Sequence, residues 1–257
     1  MMDTSTLNVR ALEIVPQPKR LVIYGSPGVG KTWFSAGASR PLFIDTDGGL
    51  VSVAITGTKA LVVEPKGHQD LEAIYFWCKE HMDDFDSIVI DSLTELQQLL
   101  LGEIIEAGED KGRRDSMMPV PEQRDNYAVQ RQLHRTLHEL RRLGKHIIVT
   151  AGLRDRKGQN APDVTPGLLS VISHWSQLIG ELVAIDNADG TAVERYLVLD
   201  PSEKRVAKNR YGLPRAIKNP TWDMLNTLID DAVEGGAASK GTPSVVTETA
   251  VQATAGS

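Results

Sequence analysis

Short unbroken apolar runs alternate along this chain with longer stretches in which apolar residues recur every three or four positions. The first pattern belongs to strands buried on both faces, the second to helices with one buried side. Residues 21–24 (LVIY), the LFID run opened by Pro41, 61–63 (LVV), 87–91 (SIVID) and 146–150 (HIIVT) are of the first kind. Helical spacing predicts elements over about Lys31 to Ala38, His68 to His81, Leu93 to Ile105, and Arg124 to Leu143, the last stopped by Gly144. Strands alternating with helices in this way predict an α/β fold, a mostly parallel sheet sandwiched by helices.

The pattern loosens beyond residue 152. The stretch LRDRKGQNAPDVTPG is expected to be a mobile polar loop, and Gly108 to Pro121 a charged one. Runs at 181–185, 193–199 and 205–207 predict extra C-terminal strands, with a hairpin turn at Asp189-Gly190. A closing helix is expected over Trp222 to Val233, with Thr221 as its N-cap. Residues 1–18 form a lead-in ending in Pro16 and Pro18, and 19–233 one domain. The tail, 234–257, is expected to be disordered, because its small side chains bury too little surface to offset chain entropy.

Composition narrows the class. With 41% hydrophobic and 24% charged residues a sizeable core is possible. A single cysteine, Cys78, excludes an internal disulfide and a thiolate metal site, and its place on an amphipathic helix predicts a core side chain. No stretch approaches the roughly 20 apolar residues of a membrane helix, and no leader pattern opens the chain, so a cytoplasmic protein without a membrane partner is expected. The net charge of −6 conceals an asymmetry: residues 41–110 hold 15 acidic and 3 basic side chains, residues 111–160 hold 12 basic and 5 acidic. Local potential attracts a polyanion, so overall acidity does not exclude nucleic acid.

Candidate chemistry lies at the ends of the predicted strands. Gly25, Ser26, Pro27, Gly28, Val29, Gly30, Lys31 and Thr32 match G-x-x-x-x-G-K-[ST], between an apolar strand and a helix, where that motif must lie. Glycines let consecutive backbone N–H groups curl around phosphate oxygens, Lys31 reaches the β- and γ-phosphates, and the Thr32 hydroxyl joins the shell of a magnesium ion. Ile88-Val89-Ile90 ending in Asp91 supplies a carboxylate for the same Mg2+. Asp45 and Asp47 lie at another strand end. Asp45 suits the strand end or turn, and Asp47 is the candidate to orient an attacking water. The implied ligands are ATP and Mg2+. His134 and His138 share a helix face without a companion carboxylate motif, so zinc is not expected.

Three segments together resemble the RecA-like P-loop ATPases: YGSPGVGKT their Walker A, VIDSLTEL their Walker B, and FIDTDGG the segment carrying their catalytic glutamate, on which Asp47 falls. The resemblance implies a RecA-like P-loop NTPase core with extra C-terminal strands, ATP hydrolysis, and Thr150 at the end of HIIVTAG as a γ-phosphate sensor. More narrowly, the layout over about 19–233, with HIIVTAGLRDRKG and VAKNRYGLP, resembles the bacteriophage RecA-like single-strand annealing recombinases. That resemblance implies recombination, the host-cell cytoplasm, a ring or filament of identical subunits, single-stranded DNA, and a single-strand binding protein as a further partner. The loops that hold DNA in such proteins correspond here to Lys111, Arg113, Arg114 and to Arg154, Arg156, Lys157. Tyr127 and Trp175 are candidates for base stacking. Arg154, Arg156, Lys157, Lys208 and Arg210 are rival candidates for a cation reaching a neighbour's γ-phosphate. A small-molecule kinase with an arginine-bearing lid, and an ATP-switched replication assembly factor such as a helicase loader, are the alternative functions.

Overall fold

A computed structural model of the chain describes residues 17–55, 57–109, 121–186, 190 and 192–235. The elements run β1 (Arg20–Tyr24), α1 (Lys31–Ala36), β2 (Pro41–Asp45), α2 (Val51–Ile55), β3 (Leu61–Val63), α3 (His68–Glu80), β4 (Ser87–Asp91), α4 (Leu93–Glu109) and α5 (Gln123–Arg142). They continue with β5 (His146–Ala151), β6 (Leu153–Asp155), β7 (Asn160–Pro162), α6 (Pro166–Trp175), β8 (Leu178–Asp186), β9 (Val193–Val198), β10 (Lys208–Asn209), β11 (Ala216–Lys218) and α7 (Trp222–Gly235). The main sheet has the order β11-β9-β8-β1-β5-β4-β2-β3, and β10 pairs with the start of β8. From β8 through β3 all neighbours are parallel, whereas β9 and β11 are added antiparallel beyond β8. The architecture is the expected mostly parallel α/β sheet flanked by helices, with extra C-terminal strands.

Period-two alternation in the central strands splits the core into two layers. Val22 and Tyr24 of β1 face one side with Ile88 and Ile90 of β4, under buried residues of α3, α4, α5 and α6. Leu21 and Ile23 face the other with Val89 and Ile148, against Phe34 of α1 and Trp222, Leu225 and Ile229 of α7. The long basic helix α5 is held by Val129, Leu133, Leu137 and Leu140, spaced for one face, and by a capping box between Glu122 and Asp125. Lys19, buried just before β1, donates to Asp230 of α7 at 2.7 Å and ties the closing helix to the sheet.

The region after β5 departs from the sequence expectation. The expected mobile loop is a hairpin, β6–β7, whose turn carries Lys157 and Gly158 at φ 58 and 87, with the Gly158 N–H donating to the Asp155 carboxylate. Ala161 and Val164 anchor it in the interior, and Pro166 opens α6 at its first turn, a position that suits proline. Polar composition hid these anchors because only two small apolar residues carry them. The strand expected at 205–207 falls instead at Lys208–Asn209. The lead-in before residue 17, the tail beyond 235, Lys111, Arg113, Arg114 and Asp189 lie outside the described residues. Among the described residues no helix is long and apolar enough to cross a membrane.

Candidate phosphate site

The site is built where β1, β4, β5 and β2 end on the same rim of the sheet. Parallel strands present their C-terminal ends together, so residues far apart in sequence meet there. The register pairs Ile23 with Thr150, Ile90 with Val149 and Asp45 with Asp91.

Gly25 leaves β1 against β8, and a Cβ on it would lie 2.3 Å from the Leu182 carbonyl oxygen, so only glycine fits. Ser26, Pro27 and Gly28 form an exposed crest, Val29 turns inward, and Gly28 and Gly30 take φ of 77 and 101, conformations that favour glycine. The Lys31 ammonium bends back over this loop and donates to the carbonyls of Gly25 at 2.9 Å and Ser26 at 3.0 Å. Burial lowers its pKa, while Asp91 and Asp47 act in the opposite direction. The loop thus holds the Lys31 ammonium through two of its own carbonyls.

Asp91 is almost fully buried at the end of β4. Burial raises its pKa, hydrogen bonds from Thr150 and Thr32 oppose that shift, and Asp45 and Asp47 add to it. The Thr150 hydroxyl, wholly buried, donates to Asp91 Oδ1. Lys31, Thr32, Asp91 and Thr150, expected from separate motifs, are therefore one cluster. The two aspartates of β2 divide. Asp45 is buried and accepts from the backbone N–H of Asp47 at 3.1 Å and of Gly48 at 2.9 Å, which commits it to the turn. The Asp47 carboxylate remains exposed, close enough to Lys31 and Asp91 to shift both.

The donor set suits a hydrated divalent cation beside a polyphosphate. A threonine hydroxyl and a desolvated carboxylate are hard oxygen donors, and they stand beside the Lys31 ammonium at the end of the glycine-rich turn. Among the described residues no cluster of three or more His, Cys, Asp or Glu side chains is arranged to hold a metal ion.

The other candidates lie apart. Arg154, Arg156 and Lys157 occupy the β6–β7 hairpin, which leaves the strand bearing Thr150. Arg154 lies 3.4 Å from Asp163, Arg156 donates to the Val164 carbonyl, and Lys157 is in the turn. Lys208 donates to the carbonyls of Ser173 and Ser176, and Arg210 follows it, both at the sheet end opposite the phosphate loop. Trp175 is a core side chain whose indole N–H donates to the Leu137 carbonyl at 3.1 Å, whereas Tyr127 is exposed on α5.

Several supporting residues escaped the sequence reading. Arg195 of β9 donates from Nε to the Val29 carbonyl at 3.0 Å, bracing the phosphate loop from a strand 166 residues downstream. Its own backbone is fixed by Asn219, which accepts from the Arg195 N–H at 3.0 Å. The Thr46 hydroxyl donates to the Ser92 carbonyl and accepts from the Ser92 N–H, beside the cis peptide Asp91-Ser92. Thr94 accepts from the Gly152 N–H and donates to the Asp163 carbonyl, joining α4 to the β6–β7 hairpin. No local motif announces such long-range partners.

The AAA domain family matches this chain over residues 17–211. A similar solved structure is the KaiC-like protein PH0186 from the hyperthermophilic archaeon Pyrococcus horikoshii OT3. The two are 14% identical, the alignment covers 74% of this chain and 81% of that chain, and the TM-score is 0.44. No curated protein matches the chain.

Proposed function

This chain belongs to the AAA domain family, and from that premise we propose that it binds and hydrolyses ATP and couples the nucleotide to single-stranded DNA in recombination, assisting annealing or strand exchange. The observation that carries the nucleotide part is the convergence of Lys31, Thr32, Asp91 and Thr150 on one rim. The DNA part rests on the cations of the β6–β7 hairpin and on the resemblance of the flanking segments to phage annealing recombinases.

On this reading the loop N–H groups and Lys31 hold the β- and γ-phosphates, Lys31 exchanging its two carbonyl partners for phosphate oxygens. Thr32 and Asp91 would be the residues to hold Mg2+ beside the phosphates. When bound, that ion neutralises charge developing on the transferred phosphoryl group. Asp47, exposed at the rim, accepts a hydrogen bond from the attacking water and orients it. Thr150, hydrogen-bonded to Asp91, senses whether the γ-phosphate is present and relays that state through β5 to the hairpin two residues on. A cation from an adjacent copy in a ring or filament would complete the site. Arg154, Arg156, Lys157, Lys208 and Arg210 are the candidates; Lys208 and Arg210 lie away from their own phosphate loop, so from there only a neighbour's site is open to them.

The test is ATP hydrolysis with and without single-stranded DNA, in wild type and Lys31→Ala. Stimulation by DNA that disappears in Lys31→Ala is the expected result. Hydrolysis indifferent to DNA would leave the ATPase and remove the recombination reading, in favour of a small-molecule kinase or a protein-partner switch.

A further inference from the structure

Helix α5 carries a second set of cations that neither the phosphate site nor the β6–β7 hairpin uses. Val129, Leu133, Leu137 and Leu140 face the core, and the opposite side presents Arg124, Tyr127, Arg131, Arg135, His138 and Arg142 at steps of three or four residues. Such steps place neighbours about 5–6 Å apart on one face. From Arg124 to Arg142 the row is about 27 Å long at 1.5 Å per residue. Three of the four arginines in the row have carboxylate neighbours, Arg124 also lying 4.0 Å from Asp125. Glu122 pairs with Arg124, Glu139 lies 3.3 Å from Arg142, and Glu72 of α3 lies 3.7 Å from Arg135. Among the described residues Arg131 and Arg141 enter no ion pair.

Further cations lie near the C-terminal end of the helix, on the flank that bears Arg141. Leu137 of α5 accepts from the Trp175 indole, and the Trp175 carbonyl accepts from Arg20 Nε at 3.0 Å, so Arg20 lies beside the C-terminal half of α5. Arg210 adjoins it, because its N–H donates to the Gln177 carbonyl while Gln177 Oε1 accepts from the Arg20 N–H. Arg131, His134, Arg135 and His138 line a shallow depression on the same surface. Neighbouring cations act on one another here: after burial, His134 and Arg141 push the His138 pKa down against Glu139, and after burial Arg141 pushes the Arg20 pKa down against Tyr211.

We propose that the exposed face of α5, together with Arg20 and Arg210, is a track for the phosphate backbone of a nucleic acid, distinct from the β6–β7 hairpin. A solvated helix face needs no further cations gathered near its end. Forked guanidinium groups match phosphate oxygens bidentately. Tyr127, exposed in line with the cations, offers a ring on which a base can stack, a feature that an acidic protein partner would not require. The track takes the polymer that the proposed function assigns to the chain and rests on that reading.

The experiment is fluorescence anisotropy of a labelled single-stranded oligonucleotide and of the matching duplex, across a salt series, with the full chain. The variants are Arg131→Gln/Arg135→Gln/Arg141→Gln, which keeps helix-forming residues, the corresponding triple Glu variant, and Arg154→Gln/Lys157→Gln for the hairpin. Melting temperature and ATP binding control for folding. The triple Gln variant is expected to lose about tenfold or more in affinity at 0.1 M salt, and its log–log salt slope to fall by about 2 for a single strand. The form of DNA that shows the loss is the one the track takes. Wild-type affinity and slope in both triple variants would overturn the track and leave the hairpin reading standing. Wild-type affinity for DNA combined with altered self-association in the triple Glu variant would make the surface a protein contact, which also overturns it. Failure of the wild type to bind either DNA at low salt would sink the track together with the recombination reading, while ATP binding survives.

Discussion

Asp91 concentrates the conflict between stability and chemistry at the residue scale. The carboxylate is almost without solvent, and burial disfavours its charge more than the hydrogen bonds from Thr150 and Thr32 favour it. Because its folded pKa lies above the unfolded one, its contribution to stability is fully present below the unfolded value. It is lost as pH rises through the folded value. Asp91→Asn keeps an acceptor for Thr150 and removes the charge. It is therefore expected to stabilise the nucleotide-free protein at neutral pH by about 1 kcal/mol, or roughly 2–4 °C in Tm. The gain should shrink toward pH 4 as wild-type Asp91 takes up its proton, which thermal melts over a pH series would measure. The same change is expected to lower ATP hydrolysis by about 100-fold or more. A variant less stable than wild type at pH 7 would contradict the assignment of burial as the main cause.

The phosphate loop joins residues to elements. It is held from outside by β8, where Leu182 closes on Gly25, and by β9, where Arg195 holds Val29. Two glycines in one motif therefore have different reasons. Gly25→Ala forces a methyl group into backbone and is expected to cost about 1–3 kcal/mol as the loop and β8 shift. Gly28 has open space around its α-carbon but a φ of 77, so Gly28→Ala should cost about 1–2 kcal/mol through backbone strain alone. Asn, which visits left-handed φ more readily, should recover part of the loss at position 28 and none at 25. Chemical denaturation of the four variants separates the cases, and equal behaviour of Asn and Ala at 28 would rule out strain. The helices α3 and α5 were legible because their apolar spacing is local. The cap of α3 was not, since the His68 N–H donates to Glu103 of α4 at 2.8 Å, a partner 35 residues away.

For the whole molecule, the single cysteine reports on opening. Cys78 is buried between α3 and the sheet, and burial raises its thiol pKa to about 11. At pH 8 it should be protected in the folded protein from a thiol reagent and react only as the chain unfolds, so its labelling rate under increasing denaturant should follow the loss of helical signal. Prompt labelling without denaturant would mean that the layer between α3 and the sheet opens well before the rest. The same layer carries α5, so protection of Cys78 in the α5 variants gives an independent check that their folding is intact.

The sequence by itself determined what depends on neighbours along the chain. Apolar runs marked the parallel strands, three-to-four spacing marked the long helices, and the glycine-lysine-threonine turn and the aspartate closing an apolar run marked the candidate phosphate site. Such features are legible because dihedral preference, helix periodicity and loop curvature act over a few residues. Tertiary structure decided which strand ends share a rim, that Asp45 serves the turn while Asp47 stays at the surface, and that the polar stretch after β5 folds into a hairpin and a helix. It also decided that Arg195 and Asn219 brace a loop far upstream, and that Arg20 and Arg210 meet at Gln177. Each of these depends on pairings across many tens of residues, where the choice of partner is set by strand order and layer packing and leaves no local periodicity in the chain.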